Sequence, residues 1–291
     1  MATDEALLWN MKHGDAPVLR FYNWRPSCLS LGRFQKLDDV ALDVALDDMA
    51  AAARGDWGVN WVRRPTGGRA VWHEHEITYC LVMREEKLPA EERSVAASYR
   101  RLSEGFLQGL KLLGVQAEIA PGHASASSER AADFTETAAI SSTRTRRALP
   151  PNCFETATRA DFVVDGRKLL GAAQCRRGGA ILQHGSLLLD VDENAWTSRV
   201  GGSMSHIVTL KSLGITASRD EIVRALGEGL QQVWQASLVP DICNRCEVDV
   251  ASLLLKNKYK VGKWNGCGLD IRSEEQAQIT ALCRAGNGIA E

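Results

Sequence analysis

The sequence predicts an α+β fold, a mixed β-sheet flanked by helices, on three observations. Strand-like and helix-like segments follow one another without the regular strand–helix alternation of a parallel sheet. The long helical patterns are few, and each carries a single apolar face. The chain has 291 residues, 45% hydrophobic and 24% charged, enough to bury a full core without disulfide or metal staples.

The elements follow in order. Residues 4–13 read as a helix that stops at Gly14-Asp15. Residues 18–24 alternate apolar and polar side chains, as a half-buried strand does. Pro26 and Gly32 then punctuate the chain. A strand at 60–64 is cut by the turn at 65–68, and 77–82 is a third strand, rich in β-branched and aromatic residues. At Val95 the period changes: Tyr99, Leu102, Phe106, Leu110 and Leu113 recur every three or four residues, with Gly114 placed as a C-cap. Residues 122–147 hold Ser, Thr, Ala and Arg with almost no large apolar side chain, the composition of a mobile loop. Strand character returns at 160–164, turns at Asp165-Gly166 as a hairpin does, and resumes at 168–170. Residues 180–190 form one more strand. Ser218 and Glu221 make a capping box ahead of Ile222, Leu226, Leu230 and Val233 on one helix face. The stretch beyond Arg272 is polar, which predicts one domain over 1–272 and a peripheral tail over 273–291. No internal repeat is visible.

Charge and cysteine usage exclude several classes. Thirty-five basic residues against 36 acidic give a net charge of −1, unlike the basic excess of a dedicated nucleic-acid binder. No run of 18 apolar residues occurs, so no membrane span is expected. Asp4 and Glu5 stand where a signal peptide carries basic residues, and the expected location is cytoplasmic. The eight cysteines then read as reduced thiols. Cys243 and Cys246 are the only close pair, and Cys267 and Cys283 stand apart from each other, so a zinc site lacks its second pair.

Four segments have the makings of chemistry. Arg63, Arg64, Gly67, Gly68, Arg69 and Ala70 form a glycine turn with arginines before and after it. Such a turn lets main-chain amides approach an anionic ligand, or is a plain turn with surface arginines. Lys168 follows a tight turn and precedes Gly171, Ala172 and Ala173, small residues that leave room for a ligand, with Gln174 next. It reads as a proton acceptor or electrophile, or as a solvent-facing hairpin lysine. Cys153 sits among Pro150, Pro151 and Asn152 rather than inside a regular apolar element. That setting suits a nucleophile near a cation, although thiols are more often inert. His184, followed by Gly185, and the pair His73 and His75 are candidate general bases. On a strand His73 and His75 would share a face, but no acid or thiol at ligand spacing supports a metal.

Taken together and in this order, the stretches 63–73, 165–174 and 182–188 resemble the lipoate–protein ligase A and octanoyltransferase family. Segments 19–24, 30–35, Lys258-Tyr259 and Trp264-Asn265 give weaker support, and the likeness spans about 1–272. It implies a fold shared with biotin–protein ligases and class II aminoacyl-tRNA synthetases. It also implies an enzyme that attaches octanoate or lipoate to a lysine of small carrier domains. These are the glycine-cleavage H protein and the E2 lipoyl domains of 2-oxo-acid dehydrogenases.

Two chemistries occur in such proteins. Transferases take octanoyl from octanoyl-acyl carrier protein through a cysteine thioester, with no nucleotide or other cofactor. Ligases activate the free acid with ATP and Mg²⁺. Cys153, shortly before the Gly-Arg-Lys turn, and Arg69, in place of a third glycine, both lean towards the transferase. The resemblance then implies Cys153 and Lys168 as catalytic residues. It places Arg63, Arg64, Gly67, Gly68, Arg69, Ala70, His73, Gly171, Ala172, Gln174, His184 and Gly185 around the substrate. An apolar slot by Gly67-Gly68 would hold the eight-carbon chain. Lys168 would stabilise the thiolate and later take a proton from the incoming lysine, and amides near Gly171-Ala172 would hold the oxyanion. Ala172 replaces a residue that is commonly serine, and His73-Glu74-His75-Glu76 replaces a more usual His-Asp start. A third possibility is a carrier-binding protein of this fold without turnover.

Overall fold

A computed structural model describes residues 1–36, 60–120, 161–194, 196 and 204–285. The segment 122–147 and Cys153 lie outside the described residues.

Helix α1 (Ala2–Asn10) leads into β1 (Val18–Tyr22), and β2 (Cys28–Leu31) follows. Strands β3 (Asn60–Arg63), β4 (Val71–His73) and β5 (Glu76–Arg84) precede helix α2 (Val95–Leu112). Then come β6 (Glu118–Ile119), β7 (Phe162–Val164), β8 (Arg167–Arg177) and β9 (Ala180–Leu188). Helices α3 (Arg219–Trp234), α4 (Arg245–Leu254), α5 (Gly262–Cys267) and α6 (Ser273–Ala285) close the chain. Six strands form one sheet in the order β1-β5-β9-β8-β7-β6, antiparallel at every pairing. The parallel pairing belongs to a smaller sheet, β3-β2-β4, in which β2 runs parallel to β3 and antiparallel to β4.

Both faces of the large sheet are covered, which is why β5 and β9 read as nearly continuous buried runs. One face packs Tyr79, Leu81, Phe162, Leu170 and Leu187 against Phe106 of α2 and Leu226 of α3. The other packs Val82, Cys175 and Leu182 against Leu7 and Leu8 of α1. Helices α2 and α3 cross at glycine: a Cβ on Gly229 would stand 2.2 Å from the Gly109 nitrogen. The predicted capping box forms, with Ser218 accepting from the Glu221 amide and the Glu221 carboxylate accepting from the Ser218 amide. Asp165 and Gly166 both have positive φ, 50° and 72°, the two-residue turn expected between β7 and β8.

Within the expected peripheral tail of 273–291, the described residues 273–285 pack on the rest of the chain. Residues Ser273–Ala285 form α6, whose Ile279 and Cys283 are buried with Ala6 of α1 and with Val250 and Leu254 of α4. Apolar residues four apart supply the inward stripe that a mostly polar composition hides. Cys246 lies in the first turn of α4, where its thiol donates to Asn10 Oδ1 at 3.0 Å. Among the described residues, no helix is long and apolar enough to cross a membrane.

Candidate active site

A cavity of about 420 Å³ opens beside the α1 face of the large sheet, between that face and the small sheet. Ser30, Arg64, Val71 and His73 line it from the small-sheet side, and Thr78, Gly171, Ala172, Ala173, His184, Gly185 and Ser186 from the large sheet. Gly171 and Ala173, on the cavity face of β8, keep this wall small; Gly185 points its missing side chain the other way, where a Cβ would meet the Tyr79 ring at 2.6 Å.

Lys168 lies beside Gly171, which lines the cavity, because β8 carries a bulge. Phe162 pairs with Leu170 but Val163 pairs with Lys168, so Leu169 is an extra residue on β8. In a regular strand, residues three apart point to opposite faces; one inserted residue brings Lys168 and Gly171 to the same face. A Cβ on Gly171 would lie 3.2 Å from Lys168 Nζ. The ammonium is buried and paired with Asp161 Oδ2 at 2.8 Å, both side chains 1% exposed. Asp161 is a site residue that sequence motifs do not single out. The hairpin register alone, running back from the Asp165-Gly166 turn, sets it beside Gly171.

The arginines of the glycine turn behave differently from the expectation. Arg63 is fully buried, and it donates to the carbonyls of Trp264, Asn265, Gly32, Arg33, Gln35 and Gly266. It fastens the turn to the 262–267 helix and does not face the cavity, because three guanidinium nitrogens converge on main-chain oxygens. Arg64 does line the cavity, yet it also donates to the carbonyls of Gly67, Arg69 and Ser30. Gly67 and Gly68 stand apart from the lining. Ala70 is buried with the small-sheet core. Gln174 bonds to Ser98 and Gln183 on the side of α2, away from the cavity.

The histidines separate. His75 sits in the turn between β4 and β5, 55% exposed, whereas His73 is buried; the two do not share a face because β4 ends between them. His184 is buried; its Nε2 meets Thr66 Oγ1 at 2.6 Å, and its Nδ1 lies 3.6 Å from Asp4 Oδ2. Burial pushes His184 below its usual range, against the pull of Asp4. Burial alone would raise the Asp4 carboxyl, but the amino-terminal ammonium, His184 and Arg20 outweigh it and hold it well below the carboxylate range. Below about pH 6.5 the unfolded chain therefore binds more protons at His184 than the folded one, and stability falls as pH falls. A melting series from pH 8 to pH 5 is expected to decline, with a shallower decline for His184→Gln.

Cys28 and Cys175 are buried, and burial pushes both thiols up to about 12. Cys80 is raised further by the same cause. These sulfurs stay protonated at neutral pH and are poor nucleophiles.

The chain matches the lipoyl protein ligase A/B catalytic domain over residues 1–236. It is 37% identical over 281 residues to octanoyltransferase LipM of Kyrpidia tusciae, covering 91% of this chain and 93% of that protein. Against octanoyltransferase LipM of Bacillus subtilis it is 34% identical over 279 residues, covering 91% and 92%. Its fold superposes on lipoate-protein ligase A bound with ATP at a TM-score of 0.69, with 23% identity and coverage of 92% and 93%. A bi-partite lipoate protein ligase from Thermoplasma acidophilum gives 0.67, with 21% identity and coverage of 94% and 92%. The chain belongs to the lipoyl protein ligase A/B catalytic-domain family, and within it stands with the LipM octanoyltransferases.

Proposed function

We propose that this protein moves an octanoyl group from octanoyl-acyl carrier protein to a lysine of a lipoyl carrier domain, through a thioester on Cys153. The observation that carries this reading is the buried Lys168–Asp161 pair against Gly171, at the wall of a cavity kept open by small residues. Burial with a carboxylate 2.8 Å away gives Lys168 the part of a fixed cation. Such a cation favours the thiolate of the nucleophile and the oxyanion that follows.

In the first half-reaction the thiolate adds to the thioester carbonyl, and the carrier's C–S bond breaks, releasing the carrier thiol. In the second, the carrier lysine adds to the acyl-enzyme, the Cys153 C–S bond breaks, and an amide forms with net transfer of one amine proton to the departing sulfur. Strand β7 stops at Phe162 opposite Leu170, so among the described residues β8 runs on past Gly171 with β9 as its ladder partner. Main-chain amides along this stretch are suited to the oxyanion. Each methylene buried in the cavity adds about 0.8 kcal/mol, which lets its depth select chain length.

An ATP-dependent ligase on this scaffold would turn arginines toward a nucleotide. The donors at Arg63 go to main-chain carbonyls, and those described for Arg64 go to Ser30, Gly67 and Arg69. The use of these donors within the fold is what favours transfer without nucleotide. Recognition of lipoyl carrier domains in general is the partner class that goes with this chemistry; the glycine-cleavage H protein and E2 lipoyl domains are the acceptors to test first.

Intact-mass measurement after mixing the protein with octanoyl-acyl carrier protein, without nucleotide, is the test. The expected result is a gain of one octanoyl group that hydroxylamine removes and that Cys153→Ala lacks. Full carrier modification by Cys153→Ala, or modification only when ATP and free acid are supplied, overturns the reading.

A further inference from the structure

Opposite the Lys168 wall, the same cavity holds a second polar array that the thioester chemistry leaves unused. Ser30 on β2 pairs with Val71 on β4 in the antiparallel register. His73, two residues further along, therefore shares the face of Ser30. Ser30 Oγ lies 2.6 Å from His73 Nε2, and His73 Nδ1 lies 2.7 Å from Glu76 Oε1. All three are buried, at 0%, 5% and 1% exposure, yet Ser30 and His73 line the cavity.

The Glu76 carboxylate selects the tautomer: Nδ1–H of a neutral His73 ring donates to Glu76, which leaves Nε2 to accept the Ser30 hydroxyl proton. Arg64 Nη1 donates to Ser30 Oγ at 3.2 Å. Trp24 Nε1 donates to Thr78 Oγ1 at 2.9 Å, which turns the Thr78 hydroxyl proton to Glu76 Oε1. Ser186 donates to the same oxygen at 2.9 Å. Trp24 stacks on the His73 ring, with centroids 4.4 Å apart and planes inclined by 18°. The imidazole is thus held in one tautomer and one orientation, its basic nitrogen aimed through Ser30 at the cavity. Other charged groups around the array are Arg64, Arg219, which donates to the Glu76 carbonyl at 2.7 Å, and His184 across the cavity.

The acyl-transfer scheme needs such a group. A carrier lysine arrives protonated and must lose a proton before it can attack. Lys168 is committed to Asp161 at 2.8 Å and serves the thiolate and the oxyanion. We propose that Ser30, His73 and Glu76 form a relay that accepts the proton of the incoming amine. The amine proton passes to Ser30 Oγ as the hydroxyl proton passes to His73 Nε2; Glu76 balances the imidazolium. The proton later leaves from His73 by the same route to the departing thiolate, and the second proton of the amine, which the tetrahedral nitrogen sheds as the amide forms, goes to solvent. Ser30 is the catalytic residue of this relay; Glu76, Thr78 and Trp24 are positioning residues.

This inference rests on the acyl-enzyme reading above, and the two half-reactions separate them. With isolated octanoyl-enzyme, Ser30→Ala is expected to slow transfer to the carrier lysine roughly 100-fold, the lower range of general-base effects. Hydroxylamine, an acceptor that is uncharged at pH 7, should still clear the acyl group from the variant at the wild-type rate. His73→Gln retains an acceptor near Ser30 but cannot hold the proton, and should repeat the pattern if Ser30→Ala fails to fold. Equal loss with lysine and hydroxylamine, or undiminished lysine transfer in both variants, overturns the relay. Absence of any acyl-enzyme in the wild-type protein instead removes the reading beneath it.

Discussion

Replacing Asp161 by alanine is expected to destabilise the protein by about 3–5 kcal/mol, the usual penalty for stripping one partner from a buried ion pair. Lys168 would stay 1% exposed and lose the carboxylate 2.8 Å away. The bulge at Leu169 is held by buried neighbours, Phe162 and Leu170, both fully inaccessible, so the lysine has no short route to water. The double change Asp161→Leu with Lys168→Met is expected to recover most of that stability, because well-packed apolar pairs replace buried charges with little loss. It recovers no acyl transfer. Denaturant midpoints for the wild type, both single variants and the double variant measure the coupling, and the octanoyl mass assay reads the activity. A stable Asp161→Ala protein would show that the pair contributes nothing to the fold.

Gly32→Ala is the second large effect. Its Cβ would stand 1.8 Å from the Gly68 carbonyl oxygen and 2.7 Å from the carbonyl carbon, both main-chain atoms. The glycine turn cannot yield cheaply. Arg33 N donates to Thr66 O and Arg64 N to Leu31 O, each at 2.9 Å, and the buried Arg63 holds the Gly32 carbonyl itself. Destabilisation of about 3 kcal/mol, the upper end for overpacking, is expected. Gly67→Ala is the control: nothing lies within 4 Å of its Cβ, so its midpoint should move by about 1 kcal/mol or less. Similar midpoints for the two variants would show that the close approach at Gly32 is easily relaxed.

What the sequence makes legible is local. The Ser218–Glu221 box, the Asp165-Gly166 turn and the apolar stripe of α2 depend on neighbours within a few residues, and all three are present. Asn244 and Glu247 carry the same capping signal for α4. Strands β2 and β4 escape because they are four and three residues long and owe their pairing to distant segments. The reach of β8 through Gly171, Ala172 and Ala173 is hidden for a related reason: small residues weaken any strand pattern, and β9 supplies what they lack. The site divides along the same line. Lys168, Arg64 and His73 stand out by residue type and motif. Asp161, Ser30 and Glu76 acquire meaning only through strand register, and Arg63 shows its true partners only once 262–267 has folded back onto it.

The extra residue at Leu169 makes the position of the ammonium a matter of parity. Inserting one residue between Phe162 and Val163 would give Leu169 a partner and restore a regular ladder with the hairpin and the sheet order intact, yet it would carry Lys168 through the sheet to the layer occupied by Phe106. A relative with that single extra residue would look sound by every measure of overall fold and still present no cation to the acyl group. Counting residues on both arms of the Asp165-Gly166 hairpin is therefore a sharper test for a working copy of this site than similarity along the whole chain.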